Sequence, residues 1–96
     1  MSLDASTALR QQLYETVMLL ASEEGRIEER LARAYFTHIR NMDISAFPAD
    51  ARREYEAIHE ELNQMYPEPG RHDGVDQNTA VTLAQRIILI YDAMIR

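Results

Sequence analysis

Two short strings in this chain place side chains that bind metals at helical spacing. Glu56 and His59 form an E-x-x-H string, which in di-iron four-helix proteins puts a glutamate and a histidine on one inward face. Those proteins add a second E-x-x-H and two further glutamates. His38 has Tyr35 rather than an acid at the matching position. Glu56, His59 and His38 are therefore metal-ligand candidates by type and spacing alone, and the simpler interpretation is an exposed glutamate beside a half-buried histidine.

The second string, from His59 to Asn63, is close to the H-E-x-x-H motif of zinc metalloproteases, but its last position is asparagine. An amide oxygen is not among the usual zinc ligands. His38 lies on the apolar face of its predicted helix, where a histidine is usually neutral and hydrogen-bonded. We therefore expect no metal centre.

The residue types that are missing exclude several chemistries. The chain has no cysteine, which removes disulfides, thiolate nucleophiles and cysteine zinc sites. All ten basic residues are arginine, so the Walker A lysine and every lysine Schiff base, including covalent pyridoxal phosphate, are also excluded. We expect no catalytic residue and no cofactor.

Composition and charge indicate the class of protein. With 46% apolar and 27% charged residues the chain is globular. A net charge of −6 repels nucleic acid and anionic membranes. No stretch is apolar enough to span a membrane, and the N-terminus lacks the basic and then apolar order of a signal peptide. We expect a cytoplasmic protein that binds neither a membrane nor nucleic acid.

Four stretches show apolar residues at helical spacing, and we predict helices at about 5–24, 26–42, 48–65 and 76–95. Gly25 ends the first, Pro48 opens the third, and Asp76 or Asn78 caps the fourth. Residues 66–74, with two prolines and two glycines, form a loop. Short connections make consecutive helices antiparallel neighbours. The sequence predicts one all-α domain over residues 1–96, an antiparallel four-helix bundle.

The fourth helix is apolar around about half of its circumference, so more than one neighbour must cover it. The first helix shares this excess, whereas the third has a narrow apolar stripe. The surplus predicts a homodimer through the first and fourth helices, because large exposed apolar patches are uncommon on monomers. The alternative is that both wide helices lie inside a monomer. The predicted interface residues are Leu13, Val17, Leu83, Ile87, Ile88, Tyr91 and Ile95.

Four arginines occupy a narrow arc on the polar face of the second helix, with one aromatic residue at its edge: Arg26, Arg30, Arg33, Arg40 and Phe36. Such a surface could recognise an acidic helix, a phosphate or RNA. Alternatively, Glu56, Glu60 and Glu61 of the third helix neutralise it.

Residues 19–35, LLASEEGRIEERLARAY, together with the last helix, resemble short helical bacterial proteins without an assigned function. The shared motif is the turn at Gly25 leading into the E-R-L string at Glu29. The resemblance implies a small stand-alone bacterial protein and carries no catalytic residue over. The sequence favours a helical protein-interaction or regulatory module that forms a homodimer, with a partner protein at the arginine surface. The alternative is a helical bundle enzyme that binds a metal or small ligand around His38 or His59.

Overall fold

The computed structural model describes residues 5–69 and 75–95, which form four helices. These are α1 (Ala5–Ser22), α2 (Ile27–Ala34), α3 (Ala49–Met65) and α4 (Gln77–Ile95), and α2 continues into a π-helical turn at Tyr35–Ile39. The predicted all-α class is confirmed, and the predicted bounds lie within a few residues of the observed ones. The predicted loop over 66–74 lies partly outside the described residues.

The second helix departs most from its prediction, because it ends at Ile39 and not at Met42. Its last turn is π-helical: the Arg40 backbone N–H donates to the Tyr35 carbonyl at 2.8 Å, five residues back. Hydrophobic spacing does not distinguish a π-helical turn from a continuing α-helix, so the sequence could not predict this change.

Hydrogen bonds between helices establish how they run. Gln12 donates to the carbonyl of His38, and Arg30 donates to the carbonyl of Leu20. The start of each helix therefore lies beside the end of the other, which makes α1 and α2 antiparallel. The Tyr66 hydroxyl, just past α3, donates to the carbonyl of Glu28 at the start of α2, so α2 and α3 are antiparallel as well.

The fourth helix is the centre of the assembly. It packs against α1, α2 and α3, which confirms the expectation that its wide apolar arc has more than one neighbour. Five of its residues are buried, in contrast to three of α3, whose stripe is narrow as expected. Buried residues of all four helices form one continuous core.

Two junctions follow from local side-chain and backbone chemistry. Asp76 caps α4 as predicted, because its Oδ2 accepts hydrogen bonds from the backbone N–H and the hydroxyl of Thr79 at 3.2 and 3.3 Å. Gly25 separates α1 from α2 with a φ of +105°, a conformation that residues with a Cβ rarely adopt. These two turns set the directions in which the helices leave them.

Candidate functional site

One apolar surface of the bundle is exposed where α1 and α4 lie side by side. The rings of Tyr14 and Tyr91 meet there, with centroids 6.2 Å apart. Tyr14 is 45% exposed and Met18 43% exposed on α1, and Ile88 is 42% and Ile95 52% exposed on α4. Val17 and Tyr91 are half-buried between them. We call this surface the apolar face; it consists of Tyr14, Val17, Met18, Ile88, Tyr91 and Ile95.

Three residues predicted for the dimer interface do not belong to this surface. Leu13 is 1%, Leu83 1% and Ile87 3% exposed, all within the core of the chain itself. They therefore cannot contact a second copy without unfolding the bundle. Tyr14 and Met18, which lie on the outer side of α1, take their place.

The arginine surface of α2 is partly committed to the junction with α1. Arg30 Nη1 donates to the Leu20 carbonyl at 2.6 Å, and Arg33 donates to the carbonyl of Glu24. The last carbonyls of a helix lack partners within it, so Arg30 completes the end of α1, whereas Arg33 holds the turn that follows it. Of the predicted surface, Arg26, Arg33 and Arg40 are exposed, and Arg30 and Phe36 are half-buried.

Over the residues described, the acidic side chains of α3 form no ion pair with these arginines, although Glu56 and Arg40 line one pocket. Glu54 and Glu61 instead both form ion pairs with Arg86 of α4, at 2.9 Å from Glu54 Oε1 to Arg86 Nε in the first pair. Within the part of the chain that the structure describes, the four arginines of α2 and its last turn form no ion pair.

Two of the metal-ligand candidates, Glu56 and His59, line one pocket, and His38 is not among its lining residues. His59 Nε2 lies 3.2 Å from the carbonyl of Arg40, and its ring packs against the rings of Tyr35 and Tyr55. His38 is half-buried in the π-helical turn, and Glu56 is exposed. Over residues 5–69 and 75–95, no three acidic or histidine side chains are grouped so as to hold a metal ion.

Three buried tyrosines join α2 to α3 through their hydroxyl groups. Tyr35 donates to Asn63 Oδ1 at 3.1 Å, Tyr55 to the Ile39 carbonyl at 2.5 Å, and Tyr66 to the Glu28 carbonyl. Burial raises the pKa of each phenol, that of Tyr66 to about 12. This role could not be predicted from apolar spacing, which marks a tyrosine as one more core residue and does not indicate which group its hydroxyl will meet.

A small pocket opens between the end of α2 and the middle of α3. It encloses about 280 Å³ and is lined by Arg40, Met42, Ile44, Tyr55, Glu56 and His59. We call it the α2–α3 pocket. Met42 and Tyr55 are buried and Ile44 is half-buried, whereas Arg40 and Glu56 are exposed. The pocket thus combines apolar residues with one cation and one anion.

A second, more polar cleft lies at the opposite end of α2. It encloses about 600 Å³ and is lined by Arg26, Ile27, Glu28, Arg30, Gln77 and Val81. Glu28 Oε1 and Arg30 Nε are buried there without a hydrogen-bond partner among the described residues. Two arginines and a glutamate line this cleft. An anion would be repelled by the glutamate and a cation by the arginines, so the lining favours neither.

None of the helices, over the residues described, combines the length and the apolar character needed to cross a membrane. No family model matches the chain, and no curated protein or solved structure is significantly similar to it.

Proposed function

We propose that the chain is a helical protein-interaction module that forms a homodimer through the apolar face. The observation that carries this proposal is the exposure of four large apolar side chains on two adjacent helices, each between 42% and 52% exposed. Removing apolar surface from water contributes about 25 cal/mol per Å². Association with a partner that covers this face is therefore favourable, because it removes these side chains from water.

The face is continuous along both helices. The contact between Tyr14 and Tyr91 sets the register of α1 against α4. Met18 lies one turn from Tyr14 along α1, and Ile88 lies one turn from Tyr91 along α4, in the opposite chain direction. Because the helices run side by side, these residues extend the same surface. A two-fold axis over the tyrosine pair would place each helix against the partner copy.

Charge favours a second copy as the occupant. The chain carries a net charge of −6, so most of its surface repels another copy. Helical spacing puts Arg10 one turn before Tyr14, while Glu15 and Asp92 follow the two tyrosines, so charges of both signs border this face. At this face a second copy therefore meets a cation as well as acids, and the apolar side chains between them carry no charge.

The solution mass tests this proposal directly. The full chain should have a mass of twice 11.1 kDa by light scattering at micromolar concentration. Ile88→Glu should give a folded monomer, because it buries a charge in the interface without touching the core. Leu89→Glu is the matched control: Leu89 is 65% exposed and points about 100° away around the helix, so this variant should stay dimeric.

Two results would contradict the proposal. One is a wild-type mass of 11.1 kDa at every concentration from micromolar to millimolar. The other is equal dissociation by Ile88→Glu and Leu89→Glu. Circular dichroism of each variant shows whether the helices are intact, so an unfolded protein is not mistaken for a monomer.

A further inference from the structure

We propose that the α2–α3 pocket binds a free apolar amino acid as its zwitterion. The volume of about 280 Å³ lies just below the range for sites of drug-sized ligands, which is roughly 300–1,000 Å³. A pocket of this size suits one small molecule rather than a segment of a partner protein. Its position between α2 and α3 is remote from the apolar face of α1 and α4, so the proposal does not depend on dimer formation.

The base of the pocket suits an apolar side chain. Met42 is 7% and Tyr55 4% exposed, and both are held in place by the core. Ile44, in the connection before α3, is half-buried and packs against the same core. An aliphatic or aromatic side chain that enters the pocket would therefore exchange water for apolar contacts on several sides.

Arg40 can receive the carboxylate of such a ligand. Its guanidinium carbon lies 5.7 Å from the centroid of the Phe36 ring, and it forms no ion pair with any carboxylate in the described ranges. A guanidinium binds a carboxylate through two parallel hydrogen bonds. Because the aromatic ring already restrains the arginine, less side-chain entropy is lost when the ligand binds.

Glu56 and His59 can receive the ammonium group. Glu56 is exposed on the α3 side of the pocket and, among the residues described, has no ion pair either. When His59 is neutral and donates from Nε2 to the Arg40 carbonyl, its Nδ1 is an acceptor. The pocket therefore offers acceptors for a cation beside a donor for an anion.

The two charges together select against ligands that carry only one. An apolar carboxylate would be attracted by Arg40 and repelled by Glu56. An apolar amine would be attracted by Glu56 and repelled by Arg40. An exposed ion pair contributes about 0.2–1 kcal/mol, which corresponds to a change of up to about fivefold in affinity. We expect the zwitterion to bind about twofold to fivefold more tightly than either analogue.

An NMR titration of the full chain with three ligands that share one apolar group tests the proposal. These are L-phenylalanine, 3-phenylpropionate and phenethylamine. The methyl signals of Met42 and Ile44 and the ring signals of His59 should shift and saturate at millimolar L-phenylalanine. The two analogues should need higher concentrations.

Paired variants assign the charges. Arg40→Gln should weaken L-phenylalanine and 3-phenylpropionate but not phenethylamine. Glu56→Gln should weaken L-phenylalanine and phenethylamine and strengthen 3-phenylpropionate. Arg53→Gln and Glu23→Gln make the same charge changes at exposed positions outside the pocket, and they should leave all three affinities unchanged.

The absence of saturable shifts at these three residues with L-phenylalanine would overturn the proposal. So would equal affinities for the three ligands, since the pocket would then recognise only the apolar group. Equal effects of the pocket variants and their controls would show that net charge, and not Arg40 or Glu56, governs binding. All four substitutions are at exposed positions, so each variant should fold.

Discussion

The Tyr55 hydroxyl donates a hydrogen bond of 2.5 Å to the backbone carbonyl of Ile39, and so connects the middle of α3 to the last turn of the preceding helix. The next carbonyl, that of Arg40, is bound by His59. Because the last carbonyls of a helix have no partner within it, side chains of α3 complete this helix end. The contact between α2 and α3 is therefore partly polar, whereas α1 and α4 meet through apolar groups.

We expect Tyr55→Phe to lower the free energy of unfolding by about 1–2 kcal/mol, because it removes a buried hydrogen bond and keeps the ring. Urea denaturation measures the change. Tyr14→Phe removes a hydroxyl from a ring that is 45% exposed, and it should change stability by less than about 0.5 kcal/mol. Equal losses of stability in the two variants would show that the hydrogen bond to Ile39 contributes no more than an exposed hydroxyl does.

Alkaline pH should destabilise the protein through its buried tyrosines. Burial raises the pKa of Tyr35, Tyr55 and Tyr66 above the ordinary value of 10.0, to about 12 for Tyr66. Above pH 10 the unfolded chain loses these protons while the folded chain keeps them, so the folded state binds more protons and its stability falls as pH rises towards 12. Below pH 10 these phenols keep their protons in both the folded and the unfolded chain, so their contribution to stability is fully present there.

Denaturation curves collected at several pH values between 9 and 12 measure this decline. In Tyr66→Phe, the difference in bound protons between the folded and unfolded chains should be smaller by about one, so the free energy of unfolding should fall less steeply with pH. Tyr14→Phe serves as the comparison and should keep the wild-type slope. An unchanged slope in Tyr66→Phe would mean that this phenol ionises alike in the folded and unfolded chains.

We expect Gly25→Ala to destabilise the turn between α1 and α2 by about 1–2 kcal/mol, because a residue with a Cβ is strained at a φ of +105°. The added Cβ would also lie 2.8 Å from Glu29 Oε2, which must then move. The melting temperature should fall by roughly 5–15 °C. Ser22→Ala, at the exposed end of α1, should have little effect. A fully stable Gly25→Ala protein would contradict the positive φ.

We expect Arg86→Gln to lower stability by about 0.5–1 kcal/mol, since this arginine pairs with both Glu54 and Glu61. The hydrogen bond to Glu61, and then that to Glu54, raises the pKa of Arg86. The loss should shrink at high ionic strength, which screens exposed charges. Arg53→Gln removes a more exposed pair, with Asp50, and should cost almost nothing. Similar losses in both variants would show that the two-carboxylate contact adds no stability.

Much of the architecture was predictable from local patterns. The apolar spacing of α4 required several neighbours, and the structure places α1, α2 and α3 around it. Asp76 caps α4 and Gly25 forms the turn after α1, as predicted, because a cap and a turn depend on residues a few positions apart. The number, order and approximate bounds of the helices follow from the same short-range information.

The surfaces were harder to predict. A helical wheel shows how wide an apolar arc is, but it does not show which edge a neighbour covers. The predicted interface therefore combined Ile88 and Ile95, which are exposed, with Leu83 and Ile87, which are buried. In the same way, the arginine arc of α2 indicated an open surface, although Arg30 reaches a carbonyl at the end of α1 and Arg33 a carbonyl of the turn that follows.

The amino-acid sequence by itself determined the all-α class, the order of the helices and the need of α4 for more than one neighbour, because helix formation and the width of an apolar arc depend on residues close together in the chain. Only the tertiary structure decided the partners of long polar side chains. The Tyr55 hydroxyl donates to the Ile39 carbonyl, and Arg86 pairs with Glu54 and Glu61. In each case the partner lies in a different helix. The α2–α3 pocket is likewise a product of packing, since its walls come from α3 and from the connection that precedes it.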